Sequence, residues 1–223
     1  MHDDVIVIGA GLAGMMAADT ARAEGARVLL LNRGGIGLGT NSAMSNGVFT
    51  GPSDTYELDA YIKDTIEIGK GLNDPSVVRL VGREAPAAIR SLQTFGIGVK
   101  EKAGRYIIQP DRNDIIRGVD LVTKISDHLK KSDRVTLKTG FTVTEIVSKN
   151  GSTEGIRGFD ASGKPVFIAA SAVIIAGGGA GALYLRNDNQ KATMGQGYAL
   201  CAKAGLELWD MEFVQFYPMV FSE

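Results

Sequence analysis

The stretch Val5-Ile6-Val7-Ile8-Gly9-Ala10-Gly11-Leu12-Ala13-Gly14 decides how this chain is read. A continuous β-branched run suits a strand buried on both faces, as the strands of parallel sheets are. The residues after it spell G-x-G-x-x-G. Residues 15–24 are then rich in helix formers, Gly25 stops the helix, and Val28-Leu29-Leu30-Leu31 reads as a second buried strand. A strand, tight turn, helix and strand of this size make one nucleotide-binding half of a doubly wound sheet. Gly9 permits the turn, Gly11 lets a pyrophosphate approach the backbone, and Gly14 lets helix and strand pack closely. The helix start adds unpaired N–H groups and a favourable dipole. Gly9, Ala10, Gly11, Leu12, Ala13 and Gly14 are therefore candidate phosphate-binding residues. Where an acidic residue would usually meet the ribose, the chain has Asn32, whose amide both donates and accepts, followed by Arg33. Asn32 weakens a generic NAD reading, and on this motif alone the dinucleotide is either FAD or NAD.

The composition bounds what else the chain does. Of its 223 residues, 24 are Lys or Arg and 25 are Asp or Glu, a formal net charge of −1. That balance argues against a nucleic-acid binder or a polybasic membrane-surface protein. A hydrophobic share of 44% with 22% charged residues excludes wholesale disorder. Cys201 is the sole cysteine, so an intrachain disulfide or a cysteine-ligated metal made by this chain alone is ruled out. On its apolar stretch Cys201 reads as a small hydrophobe rather than a nucleophile. Glycine, with 29 residues, is at about twice its average share and clustered, which points to backbone lying against a ligand. The N-terminus lacks the basic start of a secretory signal. The most apolar later stretch, 169–185, centres on Gly177-Gly178-Gly179-Ala180-Gly181 and reads as a strand and turn, not a membrane span. The expectation is a cytoplasmic chain with no direct membrane span, a peripheral place on a membrane complex being left open.

Further along, the pattern predicts helices over 54–71 (capped by Ser53 or Asp54), 75–95 (interrupted near Pro86 and stopped by Gly96), 115–129 and 197–204. Strands are predicted over 105–108, 135–137, 142–147, 155–159, 166–169 and 172–176, with turns at Asn150-Gly151 and Ser162-Gly163. The expected fold class is α/β: a Rossmann-like domain with a central parallel sheet and a small antiparallel sheet.

Three later strings extend the first motif. Thr40-Asn41-Ser42-Ala43-Met44-Ser45-Asn46-Gly47 lies beyond the second strand, Ala176-Gly177-Gly178-Gly179-Ala180-Gly181 ends a buried strand, and Trp209-Asp210-Met211-Glu212-Phe213-Val214-Gln215-Phe216-Tyr217-Pro218 follows Met194-Gly195-Gln196-Gly197. In this combination and order the chain resembles the flavoprotein subunits of succinate dehydrogenase and fumarate reductase, and L-aspartate oxidase, over essentially its whole length. The resemblance implies FAD, with its pyrophosphate on the first motif and its adenosine ribose at Asn32 and Arg33. It places Gly39, Thr40, Asn41, Ser42, Asn46 and Gly47 along the flavin ring, with Thr142, Val143, Ala176, Gly177, Gly178 and Gln196 completing the cofactor site. Gln215 and Tyr217 fall at the substrate edge, where Tyr217 is the candidate proton donor.

The departures carry expectations of their own. Asn41 stands where some members of that family attach FAD through a histidine, so the flavin is expected to be noncovalent. Tyr217 and Gln196 replace a histidine and an aspartate of the family's strings, and His2 and His128 lie elsewhere, which disfavours succinate or fumarate as substrate. The family's capping domain begins shortly after the place of Pro218. Residues 1–223 are therefore expected to form the FAD-binding domain without its cap, completed by a partner chain, an iron–sulfur subunit being one candidate. The implied reaction is hydride transfer between a carbon–carbon or carbon–nitrogen bond and flavin N5. The other readings are a noncatalytic FAD-binding scaffold that needs its partner, and a nicotinamide enzyme, against which Asn32 and the Thr40 loop speak.

Overall fold

The computed structural model describes residues 3–112 and 114–216. In chain order these form β1 (Asp3–Ile8), α1 (Leu12–Ala23), β2 (Val28–Leu31), the short α2 (Asn41–Met44), β3 (Val48–Thr50), α3 (Leu58–Ile68) and α4 (Pro75–Ser91). They continue as β4 (Gly98–Lys102), β5 (Arg105–Gln109), α5 (Arg117–Lys130), β6 (Val135–Lys138), β7 (Thr142–Lys149), β8 (Ser152–Phe159), β9 (Pro165–Ile175) and α6 (Gln196–Lys203).

The main sheet has the order β6-β2-β1-β9-β8-β7. Its first four strands are parallel, and β9, β8 and β7 pair antiparallel. The alternation of β1 and β2 explains the double burial. Val7, Val28 and Leu30 join Met15 of α1 and Leu121, Val122 and Ile125 of α5 in one core, while Ile6, Leu29 and Leu31 meet Phe141, Ile156 and Ala170 on the other face. Each of these side chains except that of Ala170 contributes about 1.5–3 kcal/mol on burial. One face is thus covered by helices and the other by the β7 to β9 meander. A second sheet, β3-β5-β4, is antiparallel. The α/β fold with a parallel centre and a small antiparallel sheet is the one the sequence implied.

Several boundaries differ, each for a physical reason. Residues 165–175 form one strand where two were expected. The first part of β9 pairs with β8 (Ile168 opposite Ile156) and the last with β1 (Val173 opposite Ile6), and the small residues Ala169, Ala170 and Ser171 span the change of partner rather than a break. Pro86 does not interrupt α4; packing of Val78, Gly82 and Ile89 holds the helix through it, with Gly82 close against Leu58 and Tyr61 of α3. The expected cap at Ser53 or Asp54 is instead a turn closed by a bridge between Ser53 and Tyr56, and α3 starts after Glu57. Strands β3 and β4 were not expected: β3 is only three residues long at the end of a glycine-rich loop, and Lys100, Glu101 and Lys102 hide the β pattern of β4. Among the described residues no helix is long and apolar enough to cross a membrane.

Candidate dinucleotide cleft

The carboxyl ends of β1, β2 and β9 meet the start of α1 around a cleft of about 210 Å³. This is the switch point at which doubly wound sheets bind ligands. Gly9, Ala10 and Gly11 line it from the first turn, Asn32 and Arg33 from the end of β2, and Gly39, Thr40, Asn41 and Ser42 from the second loop. Thr142 and Val143 of β7, the Ala176, Gly177 and Gly178 turn, and Gln196 at the start of α6 complete the wall.

Five other expected residues are not on it. Leu12, Ala13 and Gly14 lie within α1 behind the turn, and Asn46 and Gly47 face α5 and β5, where Ile108 N–H donates to Gly47 O at 2.9 Å. Tyr217 lies outside the described residues; Gln215 is exposed. The sequence reading missed Ile8, Leu31, Gly34, Phe141, Ala192, Thr193, Gly197 and Leu200 on the wall. Ile8 and Leu31 had a signal, being the last residues of the two strands; Ala192 and Thr193 had none, because only tertiary folding brings them in.

The three motif glycines play different parts. Gly9 has φ +106°, and a Cβ there would stand 2.3 Å from Ala176 O. A Cβ on Gly14 would stand 1.8 Å from Gly9 O. Both are needed for packing. A Cβ on Gly11 would meet only Ser42 Oγ at 3.3 Å and Thr40 Cβ at 4.0 Å, so its open side faces the cleft. As the residue preceding α1, Gly11 has no side chain with which to cap the helix. The Leu12 N–H donates instead to Ser42 Oγ at 3.0 Å. Ser42 is held by its own short helix α2, whose cap Thr40 donates through Oγ1 to Gly37 O at 2.5 Å, while Gly37 N–H donates to Ala10 O at 2.9 Å. The two glycine-rich loops are tied together at the helix start.

Among the described residues no carboxylate lines the cleft, and Arg33 is its one cation. Arg33 Nη2 donates to Ala192 O at 3.2 Å, and the Gln196 carboxamide, turned with its oxygen to Arg33 and its nitrogen to Ala192 O, satisfies both at 3.2 Å. Asn32, also on the wall, donates through Nδ2 to Gly35 O at 2.6 Å. Groups with displaced proton affinity stand elsewhere. Burial and a hydrogen bond to Asp64 push the Tyr56 phenol up to about 12, and burial raises that of Tyr106. A second hollow of about 420 Å³, between α4 and the small sheet, sets Asp54 and Glu101 against Arg90 and presents no helix start.

Residues 4–222 match the FAD binding domain family. The chain belongs to that family. This FAD binding domain is 32% identical to the L-aspartate oxidase of Agrobacterium fabrum, over 99% of this chain and 44% of the relative. It is 29% identical to a fumarate reductase (CoM/CoB) subunit of Methanothermobacter marburgensis, over 99% of this chain and 43% of the relative. Its fold superposes on that of Mycobacterium smegmatis Sdh1 with a TM-score of 0.77 at 24% identity, covering 92% of this chain and 38% of that one. On E. coli quinol fumarate reductase FrdA the TM-score is 0.78 at 22% identity, covering 90% and 37%. The domain spans less than half the length of these relatives. FAD, not NAD, is the dinucleotide of this family.

The residues present fit that cofactor. The space a Cβ would fill at Gly11 is a cradle beside a helix N-terminus, the wall carries a guanidinium and no carboxylate, and Gly178 (φ +76°) has nothing nearer to its Cβ position than Thr193 Cγ2 at 3.9 Å. A volume of about 210 Å³ falls below the range of about 300–1,000 Å³ typical of enclosing pockets, as suits an open cleft over part of a long dinucleotide.

Proposed function

We propose that this domain holds FAD noncovalently and serves a flavin-dependent oxidoreductase, with the pyrophosphate against the Gly9-Ala10-Gly11 turn and the start of α1. The observation that carries the reading is the opening of α1 onto a wall free of carboxylates, beside an uncovered Gly11. A helix start stabilises an anion through its unpaired N–H groups and dipole. Asn32 Oδ1 accepts a ribose hydroxyl, the task an acidic residue usually has, while its Nδ2 stays on Gly35 O. The Gly39 to Ser42 loop and the Gly177-Gly178 turn lie along the flavin ring and exclude water from one side of it. When bound, FAD supplies hydride transfer at its N5. An Asn41 carboxamide is not a nucleophile, so no covalent link forms there.

Residues 1–223 act as the FAD-binding domain, and further protein completes the active site. The surface left for it is apolar: Trp209 is 72% exposed and Phe216 77%. Tyr217, next in the chain, is the proposed proton donor, and an iron–sulfur subunit is the proposed electron partner. Because the relatives include an L-aspartate oxidase and a fumarate reductase, the oxidised or reduced bond is a carbon–nitrogen or carbon–carbon bond of a small dicarboxylate. L-Aspartate is the first substrate to try, since this chain lacks the histidines expected of a succinate or fumarate site.

The test is to isolate the full-length protein, precipitate it with acid and follow the flavin. FAD in the supernatant, and bleaching of the native protein by L-aspartate without oxygen, are expected. Flavin remaining with the pellet would overturn noncovalent binding. Colour that no dicarboxylate bleaches and fumarate does not restore would make the domain a scaffold.

A further inference from the structure

Residues 187–196 cross the mouth of the cleft and are fastened differently at their two sides. On the β9 side the fastening is backbone: Ala182 N–H donates to Thr193 O at 3.0 Å and Gly195 N–H to Gly179 O at 3.1 Å. On the side of the Gly39 to Ser42 loop, the bonds among the described residues all use a side chain from that loop or from Arg33. Asn41 Nδ2 donates to Asn189 Oδ1 at 2.6 Å, Gln190 N–H donates to Asn41 Oδ1 at 2.8 Å, and Arg33 Nη2 donates to Ala192 O at 3.2 Å.

Asn41 uses both ends of its carboxamide on the same segment, as donor and as acceptor, which no aliphatic or ionised carboxylate side chain can do. Asn189 is itself fixed. Its N–H donates to Asn187 Oδ1 at 2.9 Å, Asn187 Nδ2 donates to Tyr184 O at 2.7 Å, and the Asn189 amide lies so close over Gly181 that a Cβ there would be 2.2 Å from it. The contact therefore joins two preformed surfaces. Arg33, Asn41, Ala192, Thr193 and Gln196 all line the cleft, so a ligand lying along it runs beneath the segment.

We infer that residues 187–196 are a strap hinged on the β9 side, and that Asn41 is the positioning residue that latches it over the cofactor. The inference rests on the FAD reading above. The latch bonds must open for the dinucleotide to enter or leave, while the backbone bonds on the hinge side persist. A latch of this kind slows both directions of exchange. A residue that merely supports the site would, when lost, slow uptake and speed release.

The experiment uses the full-length protein loaded with FAD, with release followed by the rise in flavin fluorescence on dilution and uptake by mixing the apoprotein with FAD. Asn41→Ala and Asn189→Ala should each speed release about tenfold, the size expected for one or two net hydrogen bonds. Both should speed uptake as well, and the double variant should release no faster than the quicker single one. Asn189→Ser, at a residue that does not line the cleft, gives the same comparison should either alanine variant fail to fold. Release at the wild-type rate in the variants, or release that quickens while uptake slows, would overturn the latch and leave the FAD reading intact. A wild-type protein that takes up no FAD would overturn both.

Discussion

The hydroxyl oxygen of Ser42 accepts the N–H of Leu12 at 3.0 Å, from 30 residues further along the chain. A helix is ordinarily capped by the side chain of the residue before it. In α1 that residue is Gly11, which has no side chain, and the capping oxygen comes from the second glycine-rich loop. One hydrogen bond thus supplies the helix end and sets the distance between the two loops that form the cleft.

Removing that oxygen has a defined cost. Ser42→Ala should lower the stability of the apoprotein by about 1 kcal/mol, as the loss of a helix cap does, read from urea denaturation. FAD affinity should fall with it, read by fluorescence titration. Ser42→Thr should restore both. An alanine variant as stable as wild type would show that the helix start needs no cap.

Gly11 and Gly14 should fail in different ways. A Cβ on Gly14 would stand 1.8 Å from Gly9 O, so Gly14→Ala must move backbone and should destabilise the fold by about 1–3 kcal/mol even without cofactor. A Cβ on Gly11 meets nothing nearer than Ser42 Oγ at 3.3 Å. Gly11→Val crowds Ser42 Oγ, so it should lose about the 1 kcal/mol of that cap and no more, yet emerge from purification without yellow colour. Retained flavin in the valine variant would remove the pyrophosphate from this turn.

Asp74 gives α4 an acid limit. Its carboxylate accepts from Ser76 Oγ and Ser76 N–H, both at 2.7 Å, and these bonds, the hydroxyl first, hold it below the usual carboxylate range. A carboxyl depressed in the folded state contributes its stability above the ordinary value of 3.8 and loses it as pH falls through the folded value. Amide exchange at Ser76 and Val77 should accelerate in that window. Asp74→Asn keeps an accepting oxygen and should show a flat profile; an equal acid response in both proteins would exclude Asp74 as its source.

The β1, α1 and β2 unit was legible because its signals are local. Burial on both faces writes Val5 to Ile8 and Val28 to Leu31 as apolar runs, and Gly25 ends the helix with φ +93°. The Asn150-Gly151 turn was legible for the same reason, its residues having φ of +52° and +76°. What stayed hidden depends on partners far away in sequence. The continuity of β9 comes from two neighbours taken in succession, and α4 passes Pro86 because α3 packs against it. Most of the cleft wall could be named from motifs. The contacts of Arg33 and Asn41 with residues 189–192 could not, since no spacing in the chain announces which loops will meet.

The register of β1 also sets a timetable for synthesis. Its Ile6 lies between Leu29 of β2 and Val173 of β9, so one edge of the first strand made is completed only by nearly the last. While a ribosome is still translating, that apolar edge bares unsatisfied N–H and C=O groups, the condition under which nascent chains pair with one another. Chains terminated before β9 should collect in inclusion bodies, whereas those carried past Ile175 can close the sheet.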